Sequence, residues 1–203
     1  MKSQDKNHIK HKVGMKSKIA YKAKEYVKHK TLTTTLTGGI VNIPSIVNPL
    51  INKIKYRKTY TEPGLGAPIY CDLGFGMVEH SGIYIGNFEA VHLNGKGLIE
   101  IVNLFEFTDH ITTVSRDIFF PMDKNNGTPI SFESAYHRAL RNIGRLRKYN
   151  IILNNCHQFT SGCLTGEFEQ HDKFLDFMKC TAENIYGDQV IWNRWNWISQ
   201  IGE

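Results

Sequence analysis

Four short strand-like runs separated by tight turns, all lying between Val78 and Phe120, limit the fold of this chain more than any other feature. The runs are Val78 to Ile85, Ala90 to Leu93, Leu98 to Val102 and Val114 to Phe120. They are rich in β-branched and aromatic residues. Asn87-Phe88 and the stretch Asn94-Gly95-Lys96-Gly97 join the first three. Links this short cannot hold a parallel crossover, so an antiparallel meander is expected.

Helical periodicity takes over downstream. Ser131 reads as an N-cap, and Phe132, Ala135, Tyr136, Ala139, Leu140, Ile143 and Leu146 fall on one helical stripe. Arg138, Arg141, Arg145 and Arg147 lie largely off that stripe and read as a solvated face. A short apolar run, Ile151 to Leu153, leads through Asn154-Asn155 to Cys156, where a second helix is expected to begin and to end at Gly166. Phe174 to Ile201 is helical in pattern and ends in Trp192, Trp195 and Trp197. Strands followed by helices predict an α+β domain.

Charge divides the chain. Residues 1 to 58 hold 14 Lys or Arg against two acids, whereas residues 59 to 203 hold 11 against 17. We therefore expect a basic N-terminal extension over 1–58 and a catalytic domain with a helical tail over 59–203. The first fifteen residues are polar and aperiodic, as a disordered segment would be. Lys16 to Lys30 places Ile19, Ala23, Tyr26 and Val27 at helical spacing among lysines, the pattern of an amphipathic basic helix. The uncharged stretch Thr31 to Asn52 has the length of a membrane span. Its five threonines, three asparagines, two prolines and the Gly38-Gly39 pair favour membrane contact, or packing on the domain or another subunit, over insertion. A polybasic segment of this kind suits an anionic membrane surface, and nucleic acid is the less favoured alternative because aromatic and basic residues are not interleaved. With no apolar leader and no CxxC pair, the thiols are expected to be reduced and the protein cytoplasmic, held peripherally at a membrane.

Cys156 is the strongest candidate for chemistry. At a loop-to-helix junction a thiolate would face unpaired N–H groups and the positive end of the helix dipole, which lower a thiol pKa. Its own N–H could stabilise an oxyanion. Cys71, Cys163 and Cys180 read as small core residues, with Cys163 two turns along the Cys156 face beside Phe159. His80 and His92 fall on adjacent expected strands and meet if the register puts them on one face. One imidazole taking the thiol proton while a second holds it in its tautomer is the arrangement an acyl-transfer cysteine needs. His110, His137, His157 and His171 show no partner pattern, and these residues require no metal or cofactor.

The run HSGIYIGNFEAVHL, His80 to Leu93, and the run NNCHQFTSGC, Asn154 to Cys163, resemble the two signature blocks of the lecithin:retinol acyltransferase (LRAT)-like family within the NlpC/P60 superfamily. The family wording is H-W-x-I-Y-x-G-(x)-V-H and N-C-E-H-F, and the likeness extends over about residues 65 to 168. It implies a circularly permuted papain-like domain whose antiparallel sheet packs on the helix carrying the cysteine. By the same resemblance His80 is the base, His92 its orienter and Cys156 the nucleophile that forms an acyl thioester. The chain departs from the wording at Ser81, where the family has Trp, and at His157-Gln158, where it has Glu-His. A C-terminal hydrophobic anchor of the kind found in many animal members is not seen.

The function so implied is acyl transfer or hydrolysis on a lipid ester such as a phospholipid. Two alternatives stand beside it: an amidase or cysteine peptidase like other NlpC/P60 branches, and a papain-like scaffold that binds a partner or nucleic acid without catalysis.

Overall fold

A computed structural model describes residues 57–74, 78–109, 116–147, 156–169, 174–187 and 189–201. The amphipathic helix expected over 16–30 and the uncharged stretch 31–52 lie outside the described residues, as do His110 and His171.

The described part is built on a seven-stranded sheet: β1 (Lys58–Thr59), β2 (Pro68–Gly74), β3 (Val78–Gly86), β4 (Glu89–Leu93), β5 (Ile99–Asn103), β6 (Ile118–Asp123) and β7 (Val190–Trp195). Its order is β1-β7-β6-β2-β3-β4-β5. Every pairing is antiparallel except β1 with β7, so the sheet is mixed and the class is α+β. The expected meander is present as β3-β4-β5. Its first turn puts Asn87 and Phe88 at φ 53° and 58°, a left-handed pair that matches the twist of the strands it joins.

Among the described residues four α-helices accompany the sheet: α1 (Leu104–Phe107), α2 (Glu133–Asn142), α3 (Cys156–Thr165) and α4 (Leu175–Tyr186). On one face Tyr70, Ile83, Val91, Leu93 and Phe119 pack against Ala135, Ala139, Phe159, Cys163, Met178 and Ala182 of α2, α3 and α4. On the other, Ile69, Cys71, Tyr84, Ala90, Ile118 and Phe120 meet Leu104 and Phe107 of α1, together with Trp195 and Trp197. Burying α3 along nearly its whole length fixes the position of its first residue relative to the strands.

Several expectations change. The segment from Phe174 is not helical throughout. Gly187 closes α4, and Val190–Trp195 forms β7, which inserts between β1 and β6. Alternation along that strand sends Trp192 to the helical face and Trp195 to the other. Helix α2 starts after Phe132, not after Ser131, and that cap makes no side-chain bond. It stops at Asn142 because the chain turns left-handed at Gly144, φ 79°, leaving Leu146 exposed in a bridge to Leu98. Arg138 is not merely solvated: it is half-buried and donates to the carbonyls of Cys163 and Leu164 at 2.8 and 3.0 Å, closing the end of α3. As expected, α3 terminates at Gly166, which takes φ 84°.

Candidate active site

The register settles how the two histidines face. Gly82 stands opposite His92, and Cys71 of β2 stands opposite His80. His80 is thus the diagonal neighbour of His92 on one face, the face that carries Phe107. Their rings meet edge to face with His80 Nε2 2.6 Å from His92 Nδ1. Phe107 covers both rings, at centroid separations of 4.9 Å from His80 and 6.1 Å from His92. It can approach because residue 82 has no side chain; a Cβ there would lie 3.0 Å from the Phe107 ring. Helix α1 holds Phe107 in place through a capping box in which Asn103 and Glu106 exchange side-chain and backbone bonds at 3.0 and 3.2 Å.

Glu100 completes the row. It lies opposite His92 on β5, with Oε1 3.4 Å from His92 Nε2 and 2.7 Å from Asn94 Nδ2. Burial lowers the His92 pKa, against the pull of the Glu100 charge, and keeps the ring neutral. A neutral His92 that donates Nε2–H to Glu100 must accept at Nδ1. His80 therefore donates from Nε2, and its basic nitrogen is Nδ1.

Cys156 sits where the sheet opens. Tyr84 bonds Gly66 and Ala67 on the β2 side, each at 2.9 Å, so by alternation Glu79, Ser81 and Ile83 turn their backbone polar groups toward β4. Pairing of β3 with β4 ends at Gly82 and His92, while β3 continues beside β2 back to Val78. The start of α3 fills this gap. Cys156 Sγ lies 4.0 Å from the Glu79 carbonyl, and the Ser81 N–H and hydroxyl are within its reach. The thiol is thus set against the strand segment that carries His80.

Electrostatics correct one expectation. Burial pushes the Cys156 thiol above its ordinary pKa, and the Ser81, His157 and Cys156 donors only partly oppose this. The helix N-terminus does not by itself yield a thiolate. A nearby base has to take the proton during reaction. Cys71 is pushed up as well, by burial and then by the Cys156 charge, and its Sγ donates to the Phe107 carbonyl at 3.6 Å.

His157, for which the sequence offers no partner, is buried. Its Nδ1 lies 2.9 Å from Ser81 Oγ, which is also 3.0 Å from Thr160 Oγ1. Two of the positions at which the signature blocks depart from the family wording, Ser81 and His157, are thus bonded to each other. Burial, then the nearby Lys179 charge, lower the His157 pKa to about 4. His137 sits instead on the exposed side of α2, 3.9 Å from Glu133.

Glu100 was also missed by sequence reasoning, although counting back through the Asn94–Gly97 turn pairs it with His92. Among the described residues no group of three His, Cys, Asp or Glu is arranged to hold a metal ion, and no helix is long and apolar enough to cross a membrane.

No curated protein matches the chain. The family model for lecithin retinol acyltransferase matches residues 62–169, which contain every residue placed in the site above and more than half of the sequence. The chain belongs to the lecithin retinol acyltransferase family, a family of thiol-dependent acyltransferases.

Proposed function

We propose that the protein transfers or hydrolyses an acyl group of a lipid ester, a phospholipid being the natural donor, through a thioester on Cys156. His80 Nδ1 takes the thiol proton as Sγ bonds to the ester carbonyl carbon. The C–O bond then breaks, and His80 returns that proton to the departing alcohol. Water or an amine next attacks the thioester carbonyl, giving its proton to His80; the C–S bond then breaks, the acyl product leaves, and His80 passes that proton to the sulfur. In this reading the Cys156 N–H at the start of α3 binds the oxyanion. His92 fixes the tautomer of His80, and Glu100 fixes that of His92.

One observation carries this reading: a hydrogen-bonded row, Glu100 to His92 to His80, ends on the strand segment against which the only thiol at a helix start among the described residues is packed. A binding scaffold would have no use for a row that fixes which nitrogen of His80 is basic.

Intact-protein mass spectrometry after brief incubation with mixed phospholipid vesicles tests it. A hydroxylamine-labile gain of one acyl chain is expected on the wild type and not on Cys156→Ala. No adduct, with the thiol still alkylated by iodoacetamide, would move the reading to amide substrates.

A further inference from the structure

Beneath the thiol lies a linked set of hydrogen-bonding groups, three of whose residues the acyl-transfer reading does not use. Ser81, Thr160, His157 and Cys156 are all buried, and they make three contacts: Thr160 Oγ1 to Cys156 O at 2.9 Å, Thr160 Oγ1 to Ser81 Oγ at 3.0 Å, and Ser81 Oγ to His157 Nδ1 at 2.9 Å. Each hydroxyl brings one hydrogen. The Thr160 hydrogen is committed to the Cys156 carbonyl, which cannot donate. Ser81 must then donate to Thr160, and His157 must donate to Ser81 from Nδ1. Taken together these three contacts fix one another, and the His157 ring also meets the Glu79 carbonyl.

This assignment leaves the Ser81 hydrogen resting on a neutral oxygen with Cys156 Sγ also in reach. A buried thiolate is the stronger acceptor, because a hydrogen bond to an ionised group is roughly twice as strong as one between neutral groups. His157, which keeps donating into Ser81, leaves that hydroxyl hydrogen free to move.

We propose that the Ser81 hydroxyl turns from Thr160 Oγ1 to Cys156 Sγ when the thiol ionises, stabilising the thiolate, with His157 as the residue that positions it. His157 is not a second base. Held near pKa 4, it is a much weaker proton acceptor than a thiolate. The idea rests on Cys156 being the nucleophile, and it makes Ser81 and His157 one unit: a donor to sulfur and the imidazole that aims it.

The titratable groups around the thiol are Cys71 on β2, Glu79 and His80 on β3 and His157 on α3, with Asp176 and Lys179 of α4 behind His157. Neither test substitution removes any of them. The measurement is the pH profile of Cys156 alkylation by iodoacetamide in the full chain, read by peptide mass spectrometry, with melting curves as the fold control. Ser81→Ala removes the donor and should raise the midpoint by about one pH unit, making alkylation near neutral pH roughly tenfold slower. Thr160→Val removes the competing acceptor and should move the midpoint down.

Opposite shifts support the proposal, because a purely structural role would move both variants the same way. A Ser81→Ala profile that overlays the wild type, or two shifts of one sign, overturns it. If Ser81→Ala does not fold, Thr160→Val decides alone: a fall supports, and no change or a rise overturns. The profile needs no lipid. Absence of an acyl adduct on the wild type would therefore sink the lipid reading while leaving the Ser81 result to stand or fall separately.

Discussion

His92 and Glu100 stand directly opposite one another in β4 and β5, with Nε2 3.4 Å from Oε1, and this pairing dictates which nitrogen of His80 is basic. Replacing the carboxylate with an amide, Glu100→Gln, allows the amide to donate where the acid could only accept. His92 can then flip its tautomer and His80 loses its orientation. Turnover should fall roughly tenfold or more with KM little changed. Steady-state kinetics on the substrate identified by the acyl adduct would check this, and an unchanged kcat would remove Glu100 from the row.

Gly82 should tolerate no side chain. A Cβ there would sit 2.8 Å from the Val91 carbonyl, 3.0 Å from the Phe107 ring and 3.3 Å from His92 Cβ. Gly82→Ala is expected to cost about 2 kcal/mol by overpacking, and to impair the activity of the fraction that remains folded by displacing His92. Denaturant unfolding gives the first effect and specific activity the second.

Stability should fall in mild acid, and His157 is one cause. Its pKa is near 6.5 in the unfolded chain and about 4 in the fold. Above pH 6.5 both states hold it neutral and nothing is lost. Between pH 6.5 and 4 the unfolded state binds the proton and the fold does not, so stability declines by about 3 kcal/mol across that window. Melting temperatures of wild type and His157→Gln, followed from pH 7.5 to 4, should converge as the pH drops. Parallel curves would show that His157 takes up its proton as readily in the fold as in the unfolded chain.

Arg138 closes the far end of the helix that begins at Cys156. Arg138→Met leaves the Cys163 and Leu164 carbonyls without their guanidinium donor, and a loss of about 2 kcal/mol is expected. The pH profile of Cys156 alkylation should not move, since the charge lies at the opposite end of α3. Lysine should restore only part of the stability, lacking the forked donors. Chemical denaturation of the three proteins makes the comparison.

The parts of the fold that were legible in the sequence are those governed by local chemistry. Alternation and two short turns specify β3, β4 and β5, and a cysteine start with a Gly166 stop specifies α3. Strand β2 escaped because residues 67 to 71 are all buried, which removes the alternation that marks a strand, and because it begins at Pro68 after a Gly/Pro-rich stretch. Strand β7 escaped because its tryptophans, three residues apart at 192 and 195, match a helical repeat as well as they match opposite faces of a sheet. Within the site, His80 and His92 were legible as a cross-strand pair. The partners of His157 were not, because Ser81 lies 76 residues away and meets it only through the packing of α3 on the sheet.

Cys156 is only 4% exposed, whereas Cys180 on α4 is partly open to solvent. Oxidants attack thiolates they can reach, so peroxide should modify Cys180 well before Cys156. Burial thus slows the oxidation of Cys156 relative to Cys180 without making its sulfur unreactive. In the unfolded chain both are ordinary cysteines, and opening of the domain removes the difference between them.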